Sequence, residues 1–276
     1  MRNLSGKVAV VTGAGSGIGR AVAGELARQG CHVALADVNE AGLAETLQGL
    51  LGLPVTVTTH VVDVSSRDAV ERRAAEVIER HGAAHILITN AGVAVAERAE
   101  NIPYEDFEWL MGINFWGVIY GCTAFLPHMR AAGEGHIVNI SSVFGLIGMP
   151  TQAAYNASKF AVRGYTEALD QELENTPIRV SCVCPGGIRT EIVRNARVPG
   201  ASRAMPSKKE LAGTFDKLAR TSAEEAGATI VRGIQNDKKR ILIGADARMI
   251  NLIVRLFPVA YPALLRRLMP APGINK

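Results

Sequence analysis

Lys7-Val-Ala-Val-Val-Thr-Gly-Ala-Gly-Ser-Gly-Ile-Gly-Arg20 is the stretch on which the fold turns. Its first five residues form a short apolar, β-branched run, the mark of a buried strand. Apolar residues then recur at Ile18, Val22 and Leu26, at helical spacing. A glycine-rich turn therefore joins a strand to a helix. Gly13, Gly17 and Gly19 let the backbone turn tightly, approach a pyrophosphate and pack helix against strand, and Ser16 and Ile18 lie within the same turn. The helix N-terminus offers free N–H groups and a positive dipole end to the phosphates. The next strand, Cys31-His-Val-Ala-Leu-Ala36, ends at Asp37. A carboxylate about 20 residues past the glycines can accept hydrogen bonds from ribose hydroxyls and would repel a 2′-phosphate. Position 38 is Val and position 16 is Ser, so neither offsets that charge; NAD is favoured over NADP.

Further along, Val55 to Val64 reads as a third strand closing with Asp63-Val64, and Ser65 or Ser66 can cap a helix running to about His81. A fourth strand, His85 to Asn90, leads into Ala91-Gly92. Unbroken alternation of strand and helix predicts a doubly wound parallel sheet. Pro103 starts a helical stretch carrying Trp109 and Met111, and a longer one runs from Asn114 to about Met129. Asn114 is polar among Ile113, Phe115, Trp116, Val118 and Ile119 and must be hydrogen-bonded, either structurally or to a water near the chemistry. The buried run Ile137-Val-Asn-Ile140 precedes Ser141-Ser142; strand ends are where catalytic groups of open α/β sheets collect. Tyr155 and Lys159, four apart on the following helix, point from one face. A neighbouring ammonium favours phenolate over phenol, so the tyrosine pKa is expected to fall and make it an acid/base near neutral pH. A helix over 222–236, capped by Ser222, and a last strand, Arg240 to Gly244, complete the pattern.

The chain has 276 residues, 48% hydrophobic and 20% charged, as suits a globular enzyme with a large core. A net charge of +4 is a mild excess of base and no evidence for nucleic acid unless it is clustered. Cys31, Cys122, Cys182 and Cys184 contain no C-x-x-C pair, so buried free thiols in a reducing compartment are expected, and no metal. Met1 to Lys7 has no apolar signal region, which points to the cytoplasm.

Taken together, these motifs resemble the classical short-chain dehydrogenase/reductase (SDR) family over roughly residues 5 to 245. The resemblance rests on Thr12-Gly-x-x-x-Gly-x-Gly19, Asn90-Ala91-Gly92, Asn114, Ser142 thirteen before Tyr155, Tyr155-x-x-x-Lys159 and Pro185-Gly186 with Thr190 beyond. It implies a single-domain α/β Rossmann fold over 1–245, with a doubly wound seven-stranded parallel sheet flanked by helices. It also implies a substrate lid over about 186–220 and catalytic roles for Asn114, Ser142, Tyr155 and Lys159. The cofactor contacts it implies are Gly13, Ser16, Gly17, Ile18, Gly19, Asp37, Val38, Asp63, Val64, Asn90, Ala91, Gly92, Tyr155, Lys159, Pro185, Gly186, Ile188 and Thr190. By analogy, Tyr155 exchanges the proton, Ser142 holds the substrate oxygen, Lys159 reaches the nicotinamide ribose, and Asn114 holds a water that links Lys159 to solvent. A homodimer built on the helices around 103–130 and 152–175, or a homotetramer, is implied as well.

The loop after Ser142 carries Phe144, Leu146, Ile147 and Met149, and the long segment from Pro185 to about Met205 carries Gly187, Ile192 and Val193 among Arg189, Arg194, Arg197 and Arg203. An apolar pocket wall favours an apolar substrate; the alternative is that these residues merely pack under the lid. Residues 246–276 depart from the commonest family pattern, which puts the tetramer in doubt. Arg248, Arg255, Arg266 and Arg267 interleave with large apolar residues up to Leu268 and Met269, in runs broken by Pro258 and Pro262. The extension is expected to pack on its own domain; docking on a second subunit and contact with an anionic membrane surface are the competing readings. The expected function is NAD(H)-dependent interconversion of a secondary alcohol and its ketone. The alternatives are the same chemistry with NADP and a dinucleotide-sensing protein without catalysis.

Overall fold

The computed structural model describes residues 1–200 and 207–268. Parts of the expected lid and extension, including Arg203, Met205 and Met269, fall outside the described residues. Seven strands form one parallel sheet in the order β3-β2-β1-β4-β5-β6-β7. They are β1 (Val8–Thr12), β2 (His32–Asp37), β3 (Val57–Val61), β4 (Ile86–Thr89), β5 (Gly135–Ile140), β6 (Ile178–Pro185) and β7 (Arg240–Ile243). Parallel strands are covered on both faces, which is why β4 and β5 are buried at every position. The order reverses beside β1, which pairs with β2 on one side and β4 on the other; Val11 stands level with both Leu35 and Ile88. A switch of this kind opens a crevice at the carboxyl ends of the strands, the place where ligands of doubly wound sheets bind.

Alternation along β1 assigns the two faces. Ala9 and Val11 join a core with Val22 and Leu26 of α1 (Gly17–Arg28), Leu43 of α2 (Glu40–Gln48) and Ile230 and Ile234 of α8 (Ala223–Gln235). Val10 turns the other way, toward Val77 of α3 (Arg67–His81), Phe125 of α5 (Gly117–Ala131) and Val162 and Leu169 of α6 (Ala153–Glu172). All four cysteines are free and buried.

Local chemistry sets the helix ends. Ser66 caps α3 by accepting from the Ala69 N–H, and Gly82, at φ +76°, closes it in the left-handed region. Ser222 and Glu225 form a reciprocal capping box on α8. The same device, Ser207 with Glu210, starts α7 (Lys208–Leu218) inside the segment read from sequence as an irregular lid. The two helical stretches expected around Asn114 are one rod: α4 (Tyr104–Met111) passes through a widened π turn at Gly112–Trp116 directly into α5. β3 is also shorter than the Val55 to Val64 run, with Asp63 and Val64 lying beyond its end.

Beyond β7, α9 (Ala245–Leu256) and α10 (Tyr261–Leu268) form a satellite core. Ala247, Ile250 and Leu265 are buried there against Val143 and Ile147 of the loop after β5, with Phe144, Met149, Ile253, Val254 and Tyr261 around them. The Gly148 N–H donates to the Tyr261 hydroxyl at 2.9 Å.

Candidate active site

The sequence-predicted cofactor residues gather along the carboxyl rim of the sheet. Gly13, Ser16, Gly17, Ile18 and Gly19 lie in the turn after β1 and at the start of α1; Asp37 ends β2 and exposed Val38 follows it. Asp63 and Val64 follow β3, and Asn90, Ala91 and Gly92 follow β4. Pro185 ends β6, and Gly186, Gly187, Ile188 and Thr190 continue from it.

The turn after β1 has no space for side chains at its key positions. A Cβ on Gly19 would lie 2.1 Å from the Gly13 carbonyl oxygen, and one on Gly13 would lie 2.7 Å from Asn90 Nδ2. Asn90 Nδ2 donates to the Thr12 and Gly13 carbonyls at 3.0 and 3.2 Å, and Thr12 Oγ1 accepts from the N–H groups of Asn90 and Ala91. These bonds tie the ends of β1 and β4 together. Ser16 caps α1 without a side-chain hydrogen bond, so its hydroxyl answers none of the first-turn N–H groups. Asp37 Oδ2 accepts from the Gly15 N–H at 2.8 Å and Oδ1 from the Asn39 N–H at 2.9 Å. Bare backbone, an open helix N-terminus and an anchored carboxylate at the end of β2 fit a dinucleotide.

Sequence reading passed over Arg20. Its guanidinium donates to the carbonyls of Gly15 and Gly42, to Thr46 Oγ1 at 3.0 Å and to Glu45 Oε2 at 2.8 Å. Arg20, beside the turn, is thus already engaged by four acceptors. Asp246 was also missed. Its Oδ2 accepts from the Gly187 N–H at 2.7 Å, and a Cβ on Gly186 would lie 2.2 Å from both carboxylate oxygens. An acid in the first turn of a helix was the available signal; its partner, a loop nearly sixty residues earlier, was not.

Ser142, Tyr155 and Lys159 converge where β5 ends against α6. Period-two alternation separates the two serines. Ser141 Oγ donates to the Lys159 carbonyl at 2.8 Å and is part of the packing, whereas Ser142 Oγ accepts from the Phe144 N–H at 3.1 Å and lies close enough to the Tyr155 phenol to pull its pKa down. The Tyr155 ring meets Phe144 edge-on with centroids 6.1 Å apart, and Lys159 Nζ lies 5.6 Å from its centroid. Lys159 is buried, and among the described residues Nζ makes one hydrogen bond, to the Ile140 carbonyl at 3.0 Å. Two of its three N–H donors are therefore open to a ligand.

The electrostatics correct the expectation of an acidified tyrosine. Burial pushes the Tyr155 phenol up to about 12, with Ser142 as the opposing pull. Burial also pushes Lys159 down to about 8. In the protein alone desolvation outweighs the lysine–tyrosine attraction, because Lys159 is buried, Tyr155 is half-buried against Phe144 and the ammonium is directed at a carbonyl.

Asn114 is fully buried in the π turn. Its Oδ1 accepts from the Val93 N–H at 2.8 Å, and its Nδ2 donates to the Val93 carbonyl at 2.9 Å and to Ser158 Oγ at 3.2 Å. Ser158 in turn donates to the Tyr155 carbonyl at 2.8 Å. The amide clamps the loop after β4 to the helix bearing Tyr155. Just before that helix, Thr151 has φ +66°, a strained conformation for a threonine, and its carbonyl accepts from the Glu97 N–H at 3.0 Å.

The expected substrate residues do not form one group. Phe144 and Met149 pack toward the α9–α10 core, Gly187 lies beneath the Leu218–Ala219 end of α7, and Ile192 and Val193 are half-buried in the turn after Thr190.

A dinucleotide cradle and a serine–tyrosine–lysine group on one rim of a parallel sheet define an oxidoreductase that binds a nucleotide cofactor. The family model described as short chain dehydrogenase matches residues 7–199, and the chain belongs to that family. It is 43% identical, over 100% of this chain and 98% of the relative, to the oxidoreductase SadH of Mycobacterium tuberculosis. It is 31% identical to estradiol 17-beta-dehydrogenase 11 of Homo sapiens, over 96% of this chain and 84% of the relative. Among solved structures it is similar to a short chain dehydrogenase/reductase from Burkholderia phymatum in complex with NAD, with a TM-score of 0.84, 30% identity and 100% of both chains covered.

Proposed function

We propose that this protein interconverts an apolar secondary alcohol and its ketone with NAD(H), Tyr155 serving as the general acid/base. The observation that carries the reading is the convergence of Ser142, Tyr155 and Lys159 beside a cradle whose ribose end is the Asp37 carboxylate. Bound nicotinamide supplies or accepts the hydride at the substrate carbon. In reduction the Tyr155 phenol gives its proton to the carbonyl oxygen as the hydride arrives; in oxidation the phenolate takes the proton back. Ser142, its oxygen already accepting from Phe144, is free to donate its hydroxyl hydrogen to the oxygen on which charge develops. The open donors of Lys159 serve the ribose hydroxyls, and the Asn114–Ser158 chain fixes the main chain that carries Tyr155.

Asp37 and the occupied Arg20 support NAD over NADP, and the Burkholderia structure is itself an NAD complex. Phe144 against Tyr155 supports an apolar substrate, as does the estradiol in the human relative's name. Reduced-nicotinamide absorbance, with NAD and NADP offered separately against secondary alcohols graded in apolar size, tests the proposal. Turnover with NAD that rises with apolar size is expected. Preference for NADP would overturn the role of Asp37, and cofactor binding without turnover on any alcohol or ketone would overturn the activity.

A further inference from the structure

The extension has an outer face that the enzyme reading does not use. Twelve large hydrophobic side chains are exposed among the described residues, and five of them, Met249, Leu252, Leu256, Phe257 and Val259, fall within one eleven-residue stretch. Leu252 is 58% exposed, Leu256 63% and Val259 90%. Positions 249, 252 and 256 recur at helical spacing, so they form one stripe along α9, opposite Ala247 and Ile250, which bury themselves against the loop after β5. α9 is therefore apolar on the side that faces solvent as well as the side that faces the protein. Concentrated exposure of this kind marks a surface with a partner.

Charge selects the partner. Arg248 and Arg255 flank the stripe, and Arg266 and Arg267 are exposed on α10. Among the described residues none of these four makes an ion pair. The sole acid between 245 and 268 is Asp246, which accepts from the Gly187 N–H. A two-fold copy of the chain on this face would bring arginine against arginine with no carboxylate between them. An anionic lipid surface accepts both features at once: the leucines enter the acyl boundary while the guanidinium groups stay among the headgroups.

We propose that the outer face of α9 and the turn into α10 dock this protein on anionic bilayers as a peripheral enzyme. The inner face of the same helices holds Phe144, whose ring meets Tyr155, so docking would bring the loop after β5 close to the lipid. The inference does not depend on which alcohol is turned over, and its test measures binding alone.

The test is co-sedimentation of the full chain with vesicles of phosphatidylcholine, or of phosphatidylcholine mixed with phosphatidylglycerol. Binding to the mixed vesicles, little binding to phosphatidylcholine and release by salt are expected. Leu252→Glu with Leu256→Glu should abolish binding. Arg248→Gln with Arg255→Gln should weaken it about tenfold or more. Thermal melting and light scattering on each variant show whether fold and oligomeric state are kept, and the arginine pair keeps the test open if the leucine pair does not fold. Equal binding to both vesicle types, no binding to either, or binding unchanged by the substitutions would overturn the proposal. So would a leucine variant that alters the oligomer while lipid binding persists, which would assign the face to a second copy of the chain.

Discussion

Two groups of residues share the carboxyl rim of the sheet, and they treat polar groups in opposite ways. In the cofactor cradle the polar side chains that hold the turn in place meet complementary neighbours: Asp37 takes two main-chain N–H groups, Asn90 gives to two carbonyls, and Arg20 reaches four acceptors. Along the catalytic wall, Lys159 is buried with one carbonyl for its charge, and Tyr155 is pushed up to about 12. The cradle is preorganised at little cost to the fold. The wall holds ionisable groups in a desolvated state that only a ligand relieves, as expected of a site whose groups must exchange protons. Substitutions on the two sides should accordingly separate activity from stability.

The largest effect is expected at Tyr155. Removing the proton donor in Tyr155→Phe should lower turnover by about 1000-fold, within the usual range for general acid/base groups. The cradle is untouched, so an NADH fluorescence titration should give nearly the wild-type affinity. Normal turnover would end the assignment of Tyr155. The complementary change on the cradle side is Gly19→Ala. A Cβ only 2.1 Å from a backbone oxygen cannot be accommodated by rotating a side chain. Loss of cofactor binding and a destabilisation of about 1–3 kcal/mol are expected, read by the same titration and by thermal melting.

Lys159 sharpens the contrast because activity and stability should move in opposite directions. A pKa of about 8 in the fold against the ordinary 10.5 means that the buried ammonium destabilises the native state by about 3 kcal/mol. Lys159→Met removes that term and loses one hydrogen bond to Ile140 worth about 1 kcal/mol, for a net gain near 2 kcal/mol at pH 7. The melting temperature should rise by about 4–8 °C while turnover collapses. The pH dependence has a definite sign. Below pH 8 the lysine is protonated in both folded and unfolded states and the full penalty applies. Between pH 8 and 10.5 the unfolded chain binds the extra proton, so wild-type stability rises with pH relative to the variant, and the variant's advantage should vanish above that window. A constant difference across this range would show that the lysine does not carry the cost.

What the sequence disclosed follows the same division. The cradle is written in backbone requirements, and glycines at 13, 17 and 19 between an apolar strand and a helical period specify it locally. The doubly wound parallel sheet followed from such local patterns, and its seven strands from the family resemblance those motifs carry. Spacing also placed Ser142, Tyr155 and Lys159 together, but not the sign of the tyrosine shift, because that depends on burial by β5 and on where the ammonium points. The π turn at Asn114 escaped because a five-residue widening leaves no mark on a helical period. The Asp246–Gly187 bond joins segments distant in sequence. α7 was missed although its signal was present: Ser207-x-x-Glu210 is a capping box, set just past a proline and glycine-bearing stretch that reads as loop.

The smallest expected effect tests the cradle's choice of cofactor. Asp37→Asn keeps the size of the side chain and an oxygen for the Gly15 N–H but removes the charge. A charge-assisted hydrogen bond to a ribose hydroxyl is worth about 1.5–3 kcal/mol, and the amide should recover part of it. A fall of about tenfold in kcat/KM with NAD corresponds to roughly 1.4 kcal/mol and is the expected outcome. NADP should improve at the same time, because the carboxylate no longer repels a 2′-phosphate. It should not overtake NAD, since Arg20 remains bound to Glu45, Thr46 and two carbonyls and is not released toward the phosphate. Adding Glu45→Gln to Asp37→Asn weakens that hold on the guanidinium and should move the ratio further toward NADP. If the single substitution alone inverted the preference, Arg20 would have to be more available than its four acceptors allow. If neither variant changed the ratio, cofactor choice would reside outside the end of β2.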